Sequence, residues 1–256
     1  MKTLIYSLAL VSFIGCNDKK KDKTLLVMAP PSSSPAMPKQ LGNCDVDYTS
    51  LQIETLVSNK VILDDRGIDD QFKILHLNEL NALPEFFLKV IGEERVPILL
   101  TNGGVTNFEE LLSAKGKSFD PAYPHLTWDD VGGLVTAKGA FLATVPGGGN
   151  SAAIHESGHV IELLFDLLRK SEDLKNIYQF YIDNPVRDDA RAGYRMSNLA
   201  EFFATGFDDF YCGRKSRNGL KNFYPKLHEF FEAKLLDEIQ KLPIDKTVFE
   251  SNREAG

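Results

Sequence analysis

The chain has 256 residues, of which 43% are hydrophobic and 25% charged, and its formal net charge is −7. This length and composition fit a folded protein of one large or two small domains. The acidic balance and the lack of a basic stripe interleaved with aromatic residues argue against nucleic-acid binding, so no nucleic-acid partner is expected.

Residues 1–15 have the pattern of a secretory signal peptide. Lys2 supplies a positive charge, and the apolar run from Leu4 to Ile14 is too short to span a bilayer as a stable helix. The run ends in Phe13-Ile14-Gly15-Cys16, which resembles a bacterial lipobox with phenylalanine where leucine is more usual. The resemblance implies that Cys16 is lipidated and becomes the mature N-terminus. Ordinary signal cleavage nearby is the alternative.

Either interpretation takes the protein out of the cytoplasm. We expect an exported bacterial lipoprotein of the cell envelope, held at a membrane through Cys16, and by analogy Asn17 favours the outer membrane. Residues 16–43 are expected to form a flexible tether, because a charged run at 19–23 and a Pro- and Ser-rich stretch at 29–35 favour extended, solvated chain. Residues 44–256 would then be the folded domain, expected to be a monomer.

Two cysteines, Cys44 and Cys212, remain beyond Cys16. In an oxidising compartment they can form a disulfide, which would tie the first folded residues to the C-terminal half of the chain. Two separate buried thiols are the alternative.

Hydrophobic periodicity predicts the elements of the first half of the domain. Alternating apolar positions at 51–63 suit strands, and a compact apolar run at 96–100 predicts a buried strand. Short helices are predicted at three places, residues 69–76, 80–91 and 107–114.

A β-hairpin is predicted in the middle of the chain. Residues 134–136 and 140–145 are apolar runs joined by Ala137-Lys138-Gly139, which can turn. The Pro-Gly-Gly-Gly stretch at 146–149 breaks the second strand, and a helix is expected to begin at Asn150 or Ser151, either of which can cap it.

Residues 155–159 are His-Glu-Ser-Gly-His, an HExxH motif. Histidines at i and i+4 lie on one helix face, so His155 and His159 can bind one Zn²⁺. Zinc lowers the pKa of a water to about 7, and Glu156 beside it can act as the general base. The motif arises by chance in about one chain in a hundred of this length. The alternative is a helix whose polar face simply meets solvent, but the surrounding residues are strongly apolar, which makes burial of these groups costly without a metal.

A third ligand is needed. Leu163-Leu164-Phe165 after the motif excludes the metzincin pattern, and no motif surrounds the other histidines, His76, His125 and His228. Glu201 is a candidate from a second helix. The residues alone leave open a capping box, with Asn198 at the N-cap and Glu201 reaching back to it.

A family resemblance bears on this choice. Residues 200–207, A-E-F-F-A-T-G-F, follow the HExxH motif by about forty residues. They resemble the helix A-E-F-F-A-E-A-F that carries the third zinc ligand in the catalytic domain of anthrax lethal factor and in the Pro-Pro endopeptidases of that clan. Residues 127–133 and 225–241 are similar too, and the resemblance covers roughly 45–245. It implies Glu201 as the third ligand of one Zn²⁺ per chain.

The same resemblance implies an α+β, zincin-like (gluzincin) metallopeptidase fold with a small twisted sheet, an active-site helix and a helical C-terminal lobe. The family places a tyrosine seven residues before the ligand glutamate, and Tyr194 is at that position. Its phenol is then expected to stabilise the oxyanion. Many gluzincins carry a carboxylate four residues after the ligand to orient a histidine. Here Thr205 is at that position, and Asp208, Asp209 or a backbone carbonyl could substitute.

The expected function is a secreted, lipid-anchored, zinc-dependent endopeptidase acting on extended peptide or protein substrates, proline-containing ones included. Substrate is expected to pair as a strand with the hairpin, beside Ala140, Phe141, Leu142, Ala143 and Thr144. A hairpin that serves only as scaffold is the alternative. Two alternatives from another class are a non-catalytic surface-binding lipoprotein on a zincin scaffold and an adhesion protein without metal.

Overall fold

The computed structural model describes residue 44 and residues 53–118, 127–144, 152–189 and 191–249. Within these ranges the elements in chain order are α1 Glu54–Ser58, β1 Ile62–Asp65, α2 Asp70–Asn81, α3 Glu85–Glu93, β2 Pro97–Asn102, 3-10 helices at Val105–Asn107, Glu109–Ala114 and Trp128–Asp130, β3 Gly133–Thr136, β4 Gly139–Thr144, α4 Ala152–Phe165, α5 Leu167–Lys170, α6 Glu172–Asp183, α7 Ala192–Arg195, α8 Leu199–Tyr211, α9 Arg214–Phe223, α10 Pro225–Glu229, a π-helical turn Phe230–Lys234 and α11 Leu235–Ile239. This content confirms the α+β class.

Most of the predicted elements occur with shifted ends. The helices expected at 69–76 and 80–91 are α2 and α3, and the strand expected at 96–100 is β2. The helix expected at 107–114 is a pair of 3-10 turns. The strand prediction at 51–63 is wrong over α1, where the fully buried Leu56 anchors a short helix, and holds only for β1. The expected signal peptide, Cys16 and tether, His125, and the cap at Asn150 or Ser151 lie outside the described residues.

The four strands form one mixed sheet in the order β1-β2-β4-β3. β1 pairs with β2 and β2 with β4 in parallel, whereas β3 and β4 are antiparallel. The predicted hairpin is therefore confirmed. Its two-residue turn is closed by the Lys138 N–H, which donates to Thr136 Oγ1, and by Gly139, whose φ of +135° favours glycine. The sheet order leaves β4 in the interior and β3 at an edge.

Alternation along the two central strands gives the sheet two buried faces. One face joins the main core, and its central side chains are Ile98, Leu100, Ala140 and Leu142. The other face carries a smaller core under the 3-10 turns, built from Leu99, Val105, Phe108, Phe141 and Ala143. Because both faces are covered, β4 is a continuous apolar run rather than an alternating one.

Helix α4 is packed between the hairpin and α8. The two helices come closest at Gly158, where a Cβ would stand 3.2 Å from Ala204 Cα and 3.3 Å from Phe207 Cβ. Gly158 lies on the same face of α4 as His155 and His159. The glycine therefore lets α8 approach the face of α4 that carries both histidines.

The C-terminal lobe is helical, as expected, and packs around aromatic rings. Phe203 and Phe207 of α8 contact Phe231 of the π-helical turn, at centroid distances of 5.4 and 6.1 Å. In the segment 225–241, which resembles the family, the π-helical turn lies between α10 and α11. Cys44 and Cys212 form a disulfide with a Cα–Cα distance of 4.4 Å, so the alternative of two separate thiols is wrong. No helix in the described part of the chain has both the length and the apolarity to cross a bilayer.

Candidate metal centre

Three side chains from two helices converge beside the sheet. His155 and His159 lie one turn apart on α4, with ring centroids 4.9 Å apart. Glu201, in the first turn of α8, places Oε2 3.3 Å from His155 Nε2 and Oε1 3.5 Å from His159 Nε2. Ligand atoms of the three residues lie within 4.8 Å of one another, so they could hold one metal ion.

The spacing of these atoms fits zinc. Bonds of 2.0–2.1 Å at tetrahedral angles separate neighbouring ligand atoms by about 3.4 Å, and each imidazole nitrogen has one of the two Glu201 oxygens at a similar distance, 3.3 or 3.5 Å. Oε2 of Glu201 is also buried without a hydrogen-bond donor. A buried carboxylate oxygen is costly to leave unpaired, and a shared cation would remove that cost. Three protein ligands would leave the fourth position open, as catalytic zinc sites do.

The backbone and the side chain of Glu201 have different partners, which resolves its two interpretations. Its backbone N–H donates to Asn198 Oδ1 at 2.9 Å, so Asn198 is the N-cap of α8. Its carboxylate faces the two imidazoles instead of turning back to the cap. The cap is thus real, but the carboxylate belongs to the cluster with the histidines.

Glu156 lies next to the cluster, beneath the edge strand β3. Its side chain is buried, and burial raises the pKa of the Glu156 carboxyl to about 8. A Cβ on Gly133 would stand only 2.3 Å from Glu156 Oε1. In the sequence, Gly133 directly precedes the first apolar run of the hairpin, and no motif marks it as part of the site. The close approach of strand and carboxylate, which requires glycine, became visible in three dimensions.

Tyr194 stands over the cluster from the short helix α7. Its ring centroid is 6.0 Å from that of His155, and 49% of the residue surface remains exposed. Desolvation of the hydroxyl, with the Glu201 carboxylate nearby, raises the pKa of Tyr194 well above its usual value. The phenol therefore stays protonated and can donate a hydrogen bond at the open side of the cluster.

An ion network joins α7 to α8, and no motif in the sequence predicts it. The buried Arg195 donates to Asp209, to Asp189 at 3.3 Å and to Thr205 Oγ1 at 3.2 Å. On the other side of Tyr194, Arg191 donates to Asp209 at 3.0 Å and to Asp208 at 3.2 Å. The two arginines flank Tyr194 in sequence, so the network fixes α7 relative to the helix that carries Glu201.

Thr205 has a different task from the carboxylate that many gluzincins carry at this position. Its Oγ1 donates to the Glu201 carbonyl at 2.6 Å and accepts from Arg195. Asp208 and Asp209, considered above as substitutes for that carboxylate, bind Arg191 and Arg195. All three residues thus stabilise the junction of α7 and α8.

The expectation that substrate pairs with strand β4 is wrong. β4 is paired along both edges, with β2 through Ile98↔Ala140 and with β3 through Leu134↔Phe141. Ala140, Phe141, Leu142 and Ala143 therefore have no free backbone edge to offer, and Thr144 is paired on the β2 side. The error arose because pairing of the hairpin with an earlier strand, β2, depends on distant sequence.

Among the described strands, β3 has the edge of this part of the sheet with no strand paired to it. The Ala143 N–H donates to the Gly132 carbonyl, which fixes the phase of the antiparallel ladder. Alternate residues of such a ladder turn their backbone groups away from the partner strand. Gly133 and Val135 thus present N–H and C=O groups outward, next to Glu156.

The remaining described histidines lie away from the cluster. His76 is buried in α2 with Nδ1 3.6 Å from Glu79 Oε2. His228 packs its ring 5.4 Å from that of Phe210. Neither belongs to the metal-binding group, which agrees with their lack of a motif.

A mixed sheet, a helix with paired histidines and a glutamate from a second helix define the zincin-like class of metallopeptidase folds. Within that class the chain belongs to the anthrax toxin lethal factor family. The family model described as "Anthrax toxin lethal factor, N- and C-terminal domain" matches residues 48–234. This confirms the resemblance drawn from the two helices.

Two comparisons with known proteins agree with this assignment. A Pro-Pro endopeptidase from Paenibacillus alvei is 26% identical over 193 residues, which cover 72% of this chain and 86% of that protein. The solved structure of the Pro-Pro endopeptidase PPEP-2 from the same organism has a TM-score of 0.57 and 24% identity, and the match covers 70% of this chain and 99% of that chain. The zincin-like fold is therefore shared over most of the chain.

Proposed function

We propose that the protein is a zinc-dependent endopeptidase, with His155, His159 and Glu201 as ligands of one Zn²⁺ per chain. The observation that carries the proposal is the convergence of these three side chains, with one Glu201 oxygen within 3.5 Å of each imidazole and Oε2 buried without a hydrogen bond. The relatives named as Pro-Pro endopeptidases support peptide-bond hydrolysis as the reaction.

Bound zinc would supply Lewis-acid chemistry, polarising the scissile carbonyl and acidifying the attacking water. Glu156 is the general base: beside a bound cation, which would favour its ionised form, its carboxylate would take a proton from that water and deliver it to the leaving amine. Tyr194 is the oxyanion donor, because its protonated phenol can hydrogen-bond to charge that develops on the carbonyl oxygen. The network of Arg191 and Arg195 holds that phenol in place.

Substrate binds in this proposal as an added strand on the open edge of β3. Gly133 and Val135 would supply backbone donors and acceptors, which bind an extended peptide with little regard to its sequence. The close approach of Gly133 to Glu156 supports this proposal, because a strand added at Gly133 would lie near the general base. Proline in the substrate is tolerated wherever its nitrogen faces away from β3.

The competing function is a non-catalytic binding lipoprotein. Structural zinc sites are usually closed by four protein ligands, whereas this cluster offers three. A buried carboxylate at Glu156 and a phenol at Tyr194 would also have no purpose in such a protein. These features favour the enzyme.

We further propose that the protein is exported and held at the cell envelope by a lipid on Cys16, with a monomeric domain at the end of the tether. The Cys44–Cys212 disulfide supports an oxidising compartment. Intact-mass analysis of envelope fractions would show a diacylated or triacylated N-terminus at Cys16.

A peptide library with the wild-type protein and Glu156→Gln tests the enzymatic proposal. We expect cleavage by the wild type, loss of at least 100-fold in the variant, and equal zinc content in both. Glu93→Gln, the same chemical change at an exposed position of α3, is the control and should cleave normally. Including Pro-Pro peptides in the library reports whether specificity follows the named relatives. Equal cleavage by Glu156→Gln and wild type would refute the assigned base.

A further inference from the structure

Helix α9 carries a concentration of positive charge in an acidic protein. Arg214, Lys215, Arg217 and Lys221 lie on this ten-residue helix, and no Asp or Glu occurs between Asp209 and Glu229. The chain as a whole has a net charge of −7. The charge is therefore a local feature of α9 and not a reflection of overall composition.

Three of these cations turn away from the side of the helix that packs on the protein. At 100° per residue, Arg214, Lys215 and Lys221 lie about 100–140° around the axis from Leu220, whereas Arg217 lies only about 60° from it. Leu220 is 1% exposed and fixes its side of the helix to the protein, so Arg214, Lys215 and Lys221 form the basic face. All four basic residues are exposed, so the basic face points to solvent.

The protein leaves part of this positive charge unpaired. In the described part of the chain, Lys215 and Lys221 have no ion-pair or hydrogen-bond partner. Arg217 places its guanidinium 4.2 Å above the Phe210 ring and donates from Nε to the Phe210 carbonyl, contacts that leave its charge unpaired. Asp209, the preceding acid, is bound by Arg191 and Arg195.

The disulfide brings the N-terminal segment to the start of this helix. Cys212 is separated from Arg214 only by Gly213, and Cys44 is bonded to Cys212 with a Cα–Cα distance of 4.4 Å. The proposed tether, residues 17–43, thus ends beside the first turn of α9. A flexible chain of that length spans on average about 30 Å, so a lipid at Cys16 would keep α9 close to the bilayer.

The metal cluster lies away from this point. Glu201 is in the first turn of α8, and Cys212 is the C-cap of the same helix. Eleven residues of α-helix separate them by about 16 Å along the axis. A surface that contacts α9 and the tether can therefore leave the site and the open edge of β3 accessible.

We propose that the basic face of α9 docks on an anionic membrane surface. The lipid at Cys16, which belongs to the proposed function, and the basic face then act together, since one acyl signal and one polybasic surface bind a bilayer more stably than either alone. Phosphate groups of anionic lipids are the partners of Lys215 and Lys221, and docking fixes the orientation of the domain on the bilayer.

Vesicle co-sedimentation of the full chain carrying Cys16→Ser tests the surface without the lipid. We expect binding to vesicles of phosphatidylcholine with phosphatidylglycerol, little binding to phosphatidylcholine alone, and weakening by salt. Lys215→Gln with Lys221→Gln should reduce binding about 25-fold, or about 5-fold for each lysine. Thermal unfolding temperature and peptidase activity should be unchanged.

Lys115→Gln with Lys117→Gln is the matched control, since it removes the same charge from exposed positions beside a 3-10 turn. This variant should bind anionic vesicles like the parent. Equal loss in both double variants would show attraction by net charge alone and overturn the assignment of α9. Failure to bind anionic vesicles, or tighter binding of soluble polyanionic DNA or polyglutamate than of vesicles, would overturn the membrane as partner.

Discussion

A methyl group at Gly133 would stand 2.3 Å from Oε1 of Glu156, so β3 approaches the carboxylate of α4 more closely than any side chain allows. Real Cβ atoms do not come this near to an oxygen, and either the strand or the carboxylate would have to move. The relationship links the proposed substrate strand to the proposed base through one glycine.

Gly133→Ala should therefore damage catalysis while the domain stays folded. We expect kcat/KM to fall about 100-fold, the loss typical of a misplacement near 1 Å, with zinc content unchanged. Gly219→Ala is the control, because nothing lies within 4 Å of its Cβ position. Steady-state kinetics measure kcat/KM of both variants, and metal analysis measures their zinc content. Normal activity of Gly133→Ala would contradict the proposed placement of the base.

Weakening the ion network should mimic loss of the Tyr194 hydroxyl. Asp209→Asn weakens the bonds that hold Arg191 and Arg195, and α7 should then position Tyr194 poorly. We expect kcat to fall about 10- to 100-fold, with KM and zinc content little changed. Because both changes act on one interaction, Asp209→Asn should cost much less in a Tyr194→Phe background. Additive losses would show that the network acts elsewhere.

Chelation of zinc should abolish cleavage and lower the unfolding temperature. Only the folded chain gathers His155, His159 and Glu201, so bound metal stabilises the native state. Added Zn²⁺ should restore both properties in the wild type. Glu201→Ala should show no zinc-dependent change in unfolding temperature, which calorimetry measures independently of activity. A wild-type unfolding temperature insensitive to chelator and to added zinc would exclude this metal centre.

Reduction of the disulfide should destabilise the domain. Cys44 and Cys212 are 168 residues apart, and a cross-link over a loop of this size stabilises by about 2–5 kcal/mol, mainly by constraining the unfolded chain. Cys44→Ser with Cys212→Ser should lower the free energy of unfolding by that amount in urea titrations. Reductant should have the same effect on the wild type and none on the double variant. Equal stability of oxidised and reduced wild type would mean that the bond does not form.

Asp65 should contribute to stability at neutral pH but not in acid. Although burial opposes it, the hydrogen bond from Lys73 and those from the Gly67 and Ile68 N–H groups lower the pKa of Asp65. A carboxylate with a lowered folded-state pKa stabilises above its unfolded value of 3.8, and this contribution is lost as pH falls through the folded-state pKa. Asp65→Asn should therefore be less stable than wild type at pH 7, by about 1 kcal/mol. The difference should shrink toward pH 2–3, and urea unfolding at the two pH values measures it.

Local sequence determined the features whose geometry is itself local. The i, i+4 spacing of His155 and His159 brings both imidazoles to one face of any α-helix, and Glu156 comes with them. The turn residues between the two apolar runs likewise specified the β3–β4 hairpin, since a two-residue turn fixes its own register. The family resemblance of residues 200–207 then singled out Glu201 and Tyr194.

Only the tertiary structure decided what depends on distant partners. The letters around Glu201 serve equally as a helix cap, and the approach of α8 to α4 at Gly158 is what turns its carboxylate to the histidines. β2, from an earlier part of the chain, pairs with β4 and thereby moves the free edge to β3. The hydrogen bond from Arg195 to Asp209 and the disulfide between Cys44 and Cys212 are equally non-local. Contacts of this kind follow from the packing of whole elements, which the spacing of residues along the chain does not specify.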